Sequence, residues 1–181
     1  MHAVPTNSRL SCATAHARLL APALVLLSIV SASCNTTPTR LAAAQASAPE
    51  LAQAVLAALE RRDLTSLRAV ALDEQEFRDE VWPELPSARR ERNLPFSYVW
   101  GELRQKSEAG LAQTLASHGG QHYDLIAVRF LDDTTQYKSY LVHRKAELTV
   151  KDTAGTQTQL RVFGSVLEKN GRFKVFSYVV D

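Results

Sequence analysis

"VFGSVLEKNGRFKVFSYVV", residues Val162 to Val180, decides the fold. Two alternating runs flank Asn170-Gly171, a dipeptide that favours a two-residue hairpin turn because both central positions of that turn take positive φ. With these two residues as the turn, Lys169 faces Arg172, Leu167 faces Lys174, Ser165 faces Phe176 and Phe163 faces Tyr178. Successive side chains point to opposite sides of a strand, so Arg161, Phe163, Leu167, Phe176, Tyr178 and Val180 gather on one face. Val162, Gly164, Val166, Phe173, Val175, Ser177 and Val179 gather on the other. Both faces are apolar. An antiparallel sheet commonly keeps one side in water, so this pattern predicts a cover on each side. Helices are expected over the aromatic face. A second subunit, or another element of the chain, is expected over the valines, and a homodimer through the sheet is the preferred arrangement.

Upstream of the hairpin, "YDLIAVRFL" from Tyr123 and "YKSYLVHRKAELTV" from Tyr137 also alternate, with "DDTTQ" and "KDTAGTQ" as the intervening turns. If Ala154-Gly155 is a second two-residue turn, Val142, Ala146 and Leu148 join the aromatic face, as does Arg144 beside Arg161. Four antiparallel strands are therefore expected at the C-terminal end.

The preceding segment reads as helices. Ser47 can cap a helix opened by Pro49 and Glu50, in which Leu51, Val55 and Leu59 recur every four residues. Asp63 can cap a second, and Asp73 with Glu76 forms an Asp-x-x-Glu capping pattern for a third. Pro83 and Pro86 end that third helix. "LPSARRERNLP", Leu85 to Pro95, reads as a polar connection. Ser97 then caps a longer helix with Val99, Leu103, Leu111 and Leu115 on its buried side, stopped by Gly119 and Gly120.

The N-terminal stretch is of another kind. Arg9 and Arg18 precede an uncharged run from Leu19 to Ala32, about 14 residues and too short for the ~20 of a spanning helix. That is the layout of an export signal, with Ser31, Ala32 and Ser33 as its small residues and Cys34 directly after them. "SASC" resembles the lipobox of bacterial lipoproteins, with Ser31 where that family usually has Leu. The resemblance implies acylation of Cys34, which becomes the mature N-terminus. It also implies a chain anchored to the cell envelope, in the outer membrane of a Gram-negative cell because Asn35 follows the cysteine. Cleavage nearby with a free Cys34 is the alternative. The expected organisation is a signal peptide over 1–33, a lipidated cysteine and flexible tether over 34–48, and one α+β domain over 49–181.

Loss of the leader removes Arg9 and Arg18, taking Lys plus Arg from 21 to 19 against 19 Asp plus Glu. A neutral domain without a basic stripe argues against nucleic acid as a partner.

The order of elements, N-terminal helices packed on a curved four-stranded antiparallel sheet, resembles the nuclear transport factor 2-like fold over about Pro49 to Asp181. The resemblance implies a cone with a possible pocket at its open end. Members range from dehydratases and isomerases to non-catalytic binding domains, so fold alone does not choose a function. Cystatin-like sheets are the near alternative.

The chemistry favours binding over catalysis. His143 and Asp124 show no partner in the sequence that would make an acid/base pair. His118 and His122 are four apart, yet Gly119-Gly120 breaks the helical geometry a shared metal would need. The six acids between Asp73 and Glu84 read as a solvated face. No metal and no cofactor is expected. Arg144 and Arg161 stand out: a buried guanidinium needs acceptors. They lie near the sheet's edge, pair with helix carboxylates, or line a pocket that reads an anionic small molecule. Trp82, Tyr98 and Trp100 flank the loop at the expected cone mouth as plain core or as ligand-stacking residues, and Tyr178, on the same face as Arg161, is a further candidate ligand-binding residue. The expected function is a membrane-anchored envelope lipoprotein with a non-catalytic domain binding a small molecule or protein. A small pocket enzyme is the alternative.

Overall fold

The computed structural model describes residues 41–92 and 94–180. The chain divides into two compact units, 1–36 and 37–181, and the account below concerns the second. The leader and Cys34 lie outside the described residues. Every buried apolar residue from Leu41 to Tyr178 belongs to this unit, which therefore carries its own core.

The expected caps set the first helices. Ser47 Oγ accepts the Glu50 N–H at the start of α1, Ala48–Glu60. Asp63 caps α2, Leu64–Ala69, through the Ser66 N–H. Asp73 and Glu76 form a reciprocal capping box on α3, Glu74–Glu76. The chain then widens into a π-helical segment, Phe77–Val81, and single 3-10 turns follow at Trp82–Glu84 and Pro86–Ala88. Helix α4 runs from Phe96 to His118. Ser97 sits in its first turn rather than at its cap, which is Pro95 and has no capping side chain.

The second half is antiparallel sheet, as expected for the α+β class, and it is not closed into a barrel. Two of the four expected strands are, however, each broken in two, and Thr135–Gln136 in the expected turn adds a short one, making seven. They are β1 Tyr123–Phe130, β2 Thr135–Gln136, β3 Leu141–Arg144, β4 Ala146–Asp152, β5 Gln157–Leu160, β6 Ser165–Lys169 and β7 Arg172–Ser177. They form one sheet ordered β1-β4-β5 and another ordered β2-β3-β6-β7. Lys145, with φ of 51°, bends the strand that would join β3 to β4. A second break separates β5 from β6, and the two breaks stay hydrogen-bonded through Ala146 N–H to Gly164 O at 3.1 Å. "YKSY" is itself a turn, closed by Tyr137 N–H to Tyr140 O at 2.9 Å, so β2 and β3 form an extra hairpin. The Ala154-Gly155 turn has three residues rather than two: Lys151 faces Gln157, and Asp152 Oδ1 accepts the Ala154 and Thr156 N–H groups.

The Asn170-Gly171 hairpin holds the expected register from Lys169–Arg172 through Val166–Val175. Beyond that a bulge intervenes, and Ser165 faces Ser177 rather than Phe176. One extra residue on a strand changes which side the following residues face. Tyr178, beyond the extra residue Phe176 on β7, and Phe163, in the break between β5 and β6, both expected beside Leu167, instead join the valine cluster.

Both faces of the second sheet are covered by the chain itself. Val162, Val166 and Val175 pack with Leu51, Val55 and Leu59 of α1, all fully buried. This removes the reason for placing a second subunit over the valines. Val142 and Leu167 pack with Phe77 and Val81, surrounded by Trp82, Phe96, Trp100 and Phe176. Burying each such Leu, Val or Phe is worth about 1.5–3 kcal/mol, and two clusters of this size supply the driving force for the fold. The domain also starts earlier than expected. Leu41 and Ala44 are buried, and Gln45 pairs with Phe173 through two 2.9 Å backbone hydrogen bonds, so residues 41–47 are docked chain rather than tether.

Candidate functional site

The strand bends position the candidate site. In a regular strand Arg144 and Lys145 would point to opposite faces. The left-handed backbone at Lys145 breaks the alternation, and both side chains line one cavity of about 400 Å³. Arg161, Gly164 and Ser165 from the second break line it too, with Val179. Its apolar wall is Phe77, Leu85, Val99, Leu103, Val142 and Phe176. The lining thus combines cationic and apolar side chains, the mixture that can hold an amphipathic ligand.

Among the described residues, Asp132 is the one carboxylate in the lining. It accepts the Asp133 N–H at 2.9 Å and lies 3.4 Å from Lys145 Nζ. The Asp133 N–H, then Lys145 and more weakly Arg144, hold its carboxyl below the usual range, so it is ionised at neutral pH. Tyr137 completes the rim, stacked on Tyr140 at 4.5 Å between ring centroids. Tyr140 donates to Val81 O at 3.2 Å, and Lys169 of β6 bridges Ser139 Oγ at 3.1 Å and Glu80 at 2.8 Å, so the β2–β3 turn is fastened to the π-helical segment.

The structure brings only part of the expected site together. Arg144 and Arg161 share the cavity, and Lys145, which sequence reasoning passed over, stands beside them. Trp100 packs on Phe77 at 5.3 Å and lines a neighbouring groove of about 300 Å³. Tyr178 forms part of that groove's wall, but it is 1% exposed and its hydroxyl donates to Leu67 O at 2.7 Å. Burial pushes its phenol pKa strongly upward. It is a core residue more than a stacking one. Tyr98 is 59% exposed and lines none of these spaces.

Other titratable groups are engaged elsewhere. His122 lies between Glu60 at 3.1 Å and Asp124 at 3.4 Å, and Glu60 first and then Asp124 raise its pKa. His118 meets the Tyr123 hydroxyl at 3.3 Å, and burial lowers its pKa. His143 has partners that the sequence did not show. Its Nε2 is 2.7 Å from Glu168 and its Nδ1 is 3.0 Å from Thr134 Oγ1, with the ring stacked on Phe130. Hydroxyl, imidazole and carboxylate in series can activate a nucleophile. Neither Thr134 nor His143 lines the cavity or the groove, so this series faces no pocketed substrate there.

Among the described residues, no helix is long and apolar enough to cross a membrane, and no group of three or more His, Cys, Asp or Glu could hold a metal ion. The chain matches no protein-family model, no curated protein and no solved structure.

Proposed function

We propose that this chain is exported and held at the cell envelope through an acylated Cys34, and that its domain is a non-catalytic binder of small anionic molecules. One observation carries the binding reading: Arg144 and Lys145, adjacent in sequence, line the same open cavity at the bend, together with apolar side chains. A carboxylate is the simplest group to pair with these cations, since a guanidinium offers it two parallel donors. The element order, helices followed by a bent antiparallel sheet with a cavity at the bend, supports the likeness to nuclear transport factor 2-like domains.

Calorimetry of residues 37–181 against hexanoate, benzoate and succinate tests the reading. At least one carboxylate is expected to bind, and Arg144→Ala should weaken it about ten- to hundred-fold, the worth of a charged hydrogen bond. Arg144 is exposed, so the variant's thermal midpoint should match wild type. Binding that is indifferent to Arg144→Ala would remove the cavity from consideration.

The anchor is tested separately. Palmitate supplied to expressing cells should label the wild-type chain, and Cys34→Ser should lose the label and become soluble. Label retained in that variant would end the lipoprotein reading.

The Thr134, His143 and Glu168 series is the one observation favouring a second reading, a small enzyme. A hydrolytic activity abolished by His143→Ala, with binding at the cavity intact, would establish it.

A further inference from the structure

The cationic cavity and the neighbouring groove are separate spaces, yet both are lined by Leu103 and Phe176. Phe176 is the extra residue at the β6–β7 bulge, outside the paired register, and both side chains are only half-buried although they sit between α4 and the sheet. A large apolar side chain in that position would normally be fully enclosed. Here each borders open space on two sides. Beyond them the groove continues with an apolar floor of Ala71, Leu72, Trp100, Leu111 and Tyr178. Its rim is charged, with Arg68 on α2 forked onto Glu108 of α4 at 3.1 and 2.7 Å.

Resting on the anion-binding reading above, we infer that the ligand is a long-chain carboxylate whose head lies at Arg144 and Lys145 and whose tail passes Leu103 and Phe176 into the groove beneath Trp100. The charge layout sets the direction. Among the described residues, the cavity's lining holds three cations against Asp132, whereas the groove's holds Arg68 and Arg104 against Asp73, Glu74 and Glu108. An anionic head is favoured in the first, and an uncharged chain loses nothing in the second.

Tryptophan quenching tests this directly, because Trp100 lines the groove and Trp82 lines neither space. In residues 37–181 carrying Trp82→Phe, a 16-carbon carboxylate brominated at its far end should quench the Trp100 emission. Bound 6-bromohexanoate, too short to pass Phe176, should not. Filling the groove with Ala71→Phe, or with Glu74→Phe should the first variant fold poorly, should abolish the quenching. It should also weaken the long carboxylate about ten-fold or more while leaving hexanoate within about two-fold, as expected when several methylenes lose their cover. Equal quenching by the two brominated ligands, or quenching that survives both filled variants, would place the tail elsewhere and overturn the inference while leaving the anion site standing. No binding of either ligand would remove the anion reading and this inference with it.

Discussion

Lys174→Met is expected to lower the stability of residues 37–181 by about 3–5 kcal/mol, read as a shift in the urea midpoint. Lys174 is 1% exposed, and its Nζ donates to both oxygens of Glu76, at 2.7 and 2.6 Å. Glu76 is buried as well and accepts two backbone N–H groups, from Ala42 at 2.7 Å and Asp73 at 3.1 Å. One carboxylate thus holds β7, the capping box of α3 and the incoming N-terminal segment together. Without the ammonium, the buried Glu76 carboxyl group is left with only those two donors. Replacing both partners, Glu76→Met with Lys174→Met, should recover part of the loss, since an apolar pair often substitutes for a buried ion pair. Recovery stays incomplete because the Ala42 and Asp73 N–H groups then lack their acceptor. A loss below about 1 kcal/mol for Lys174→Met would show that water reaches the pair, as at a surface salt bridge.

The second large effect is steric. A Cβ added at Gly164 would overlap the carbonyl oxygen of Val179, and one at Gly110 the carbonyl oxygen of Tyr178. These two glycines let the C-terminal segment pass between α4 and the break separating β5 from β6, where Ser107 Oγ accepts the Tyr178 N–H at 3.1 Å. Gly164→Ala should cost about 1–3 kcal/mol or more, because the atom it meets is backbone and cannot swing away. Gly101 supplies the control. It lies in α4 with nothing within 4 Å of an added Cβ, so Gly101→Ala should raise stability by about 0.5–1 kcal/mol through helix propensity alone. Thermal or urea unfolding of the two variants should move in opposite directions. Equal shifts would mean that the segment does not make the close approach described.

What could be read in the sequence was local. Ser47, Asp63 and Asp73 announce their helices because a cap is a short-range hydrogen bond between neighbours. Asn170-Gly171 fixes its own register for the same reason. The reading fails where tertiary packing decides. A left-handed lysine at 145 has no signature in composition or alternation, so the bend passed as continuous strand. The bulge at Ser165 likewise turned a correct hairpin into a wrong set of faces beyond it. Arg144 and Arg161 were legible as a pair through strand alternation, but Lys145 was not, because its entry into the cavity depends on the bend. Lys174 carried a signal that went unread: the register placed it opposite Leu167, and a lysine on an apolar face needs a buried acid, which Glu76 supplies.

The pairing of residues 41–47 and 70–72 with β7 bears on aggregation. β7 is an outer strand of its sheet, and an exposed strand edge is a template for adding another chain. Gln45 occupies the outward hydrogen-bonding groups of Phe173, while Val70 and Leu72 occupy those of Val175. Two of the other outer strands offer little to copy: β2 is two residues long, and β5 is short and, apart from Leu160, polar and exposed. The eight-residue β1 is the other long outer strand. The N-terminal segment therefore serves as an edge guard. A truncation beginning at Ala46 would uncover half of the β7 edge beside an apolar core, inviting the domain to polymerise strand to strand.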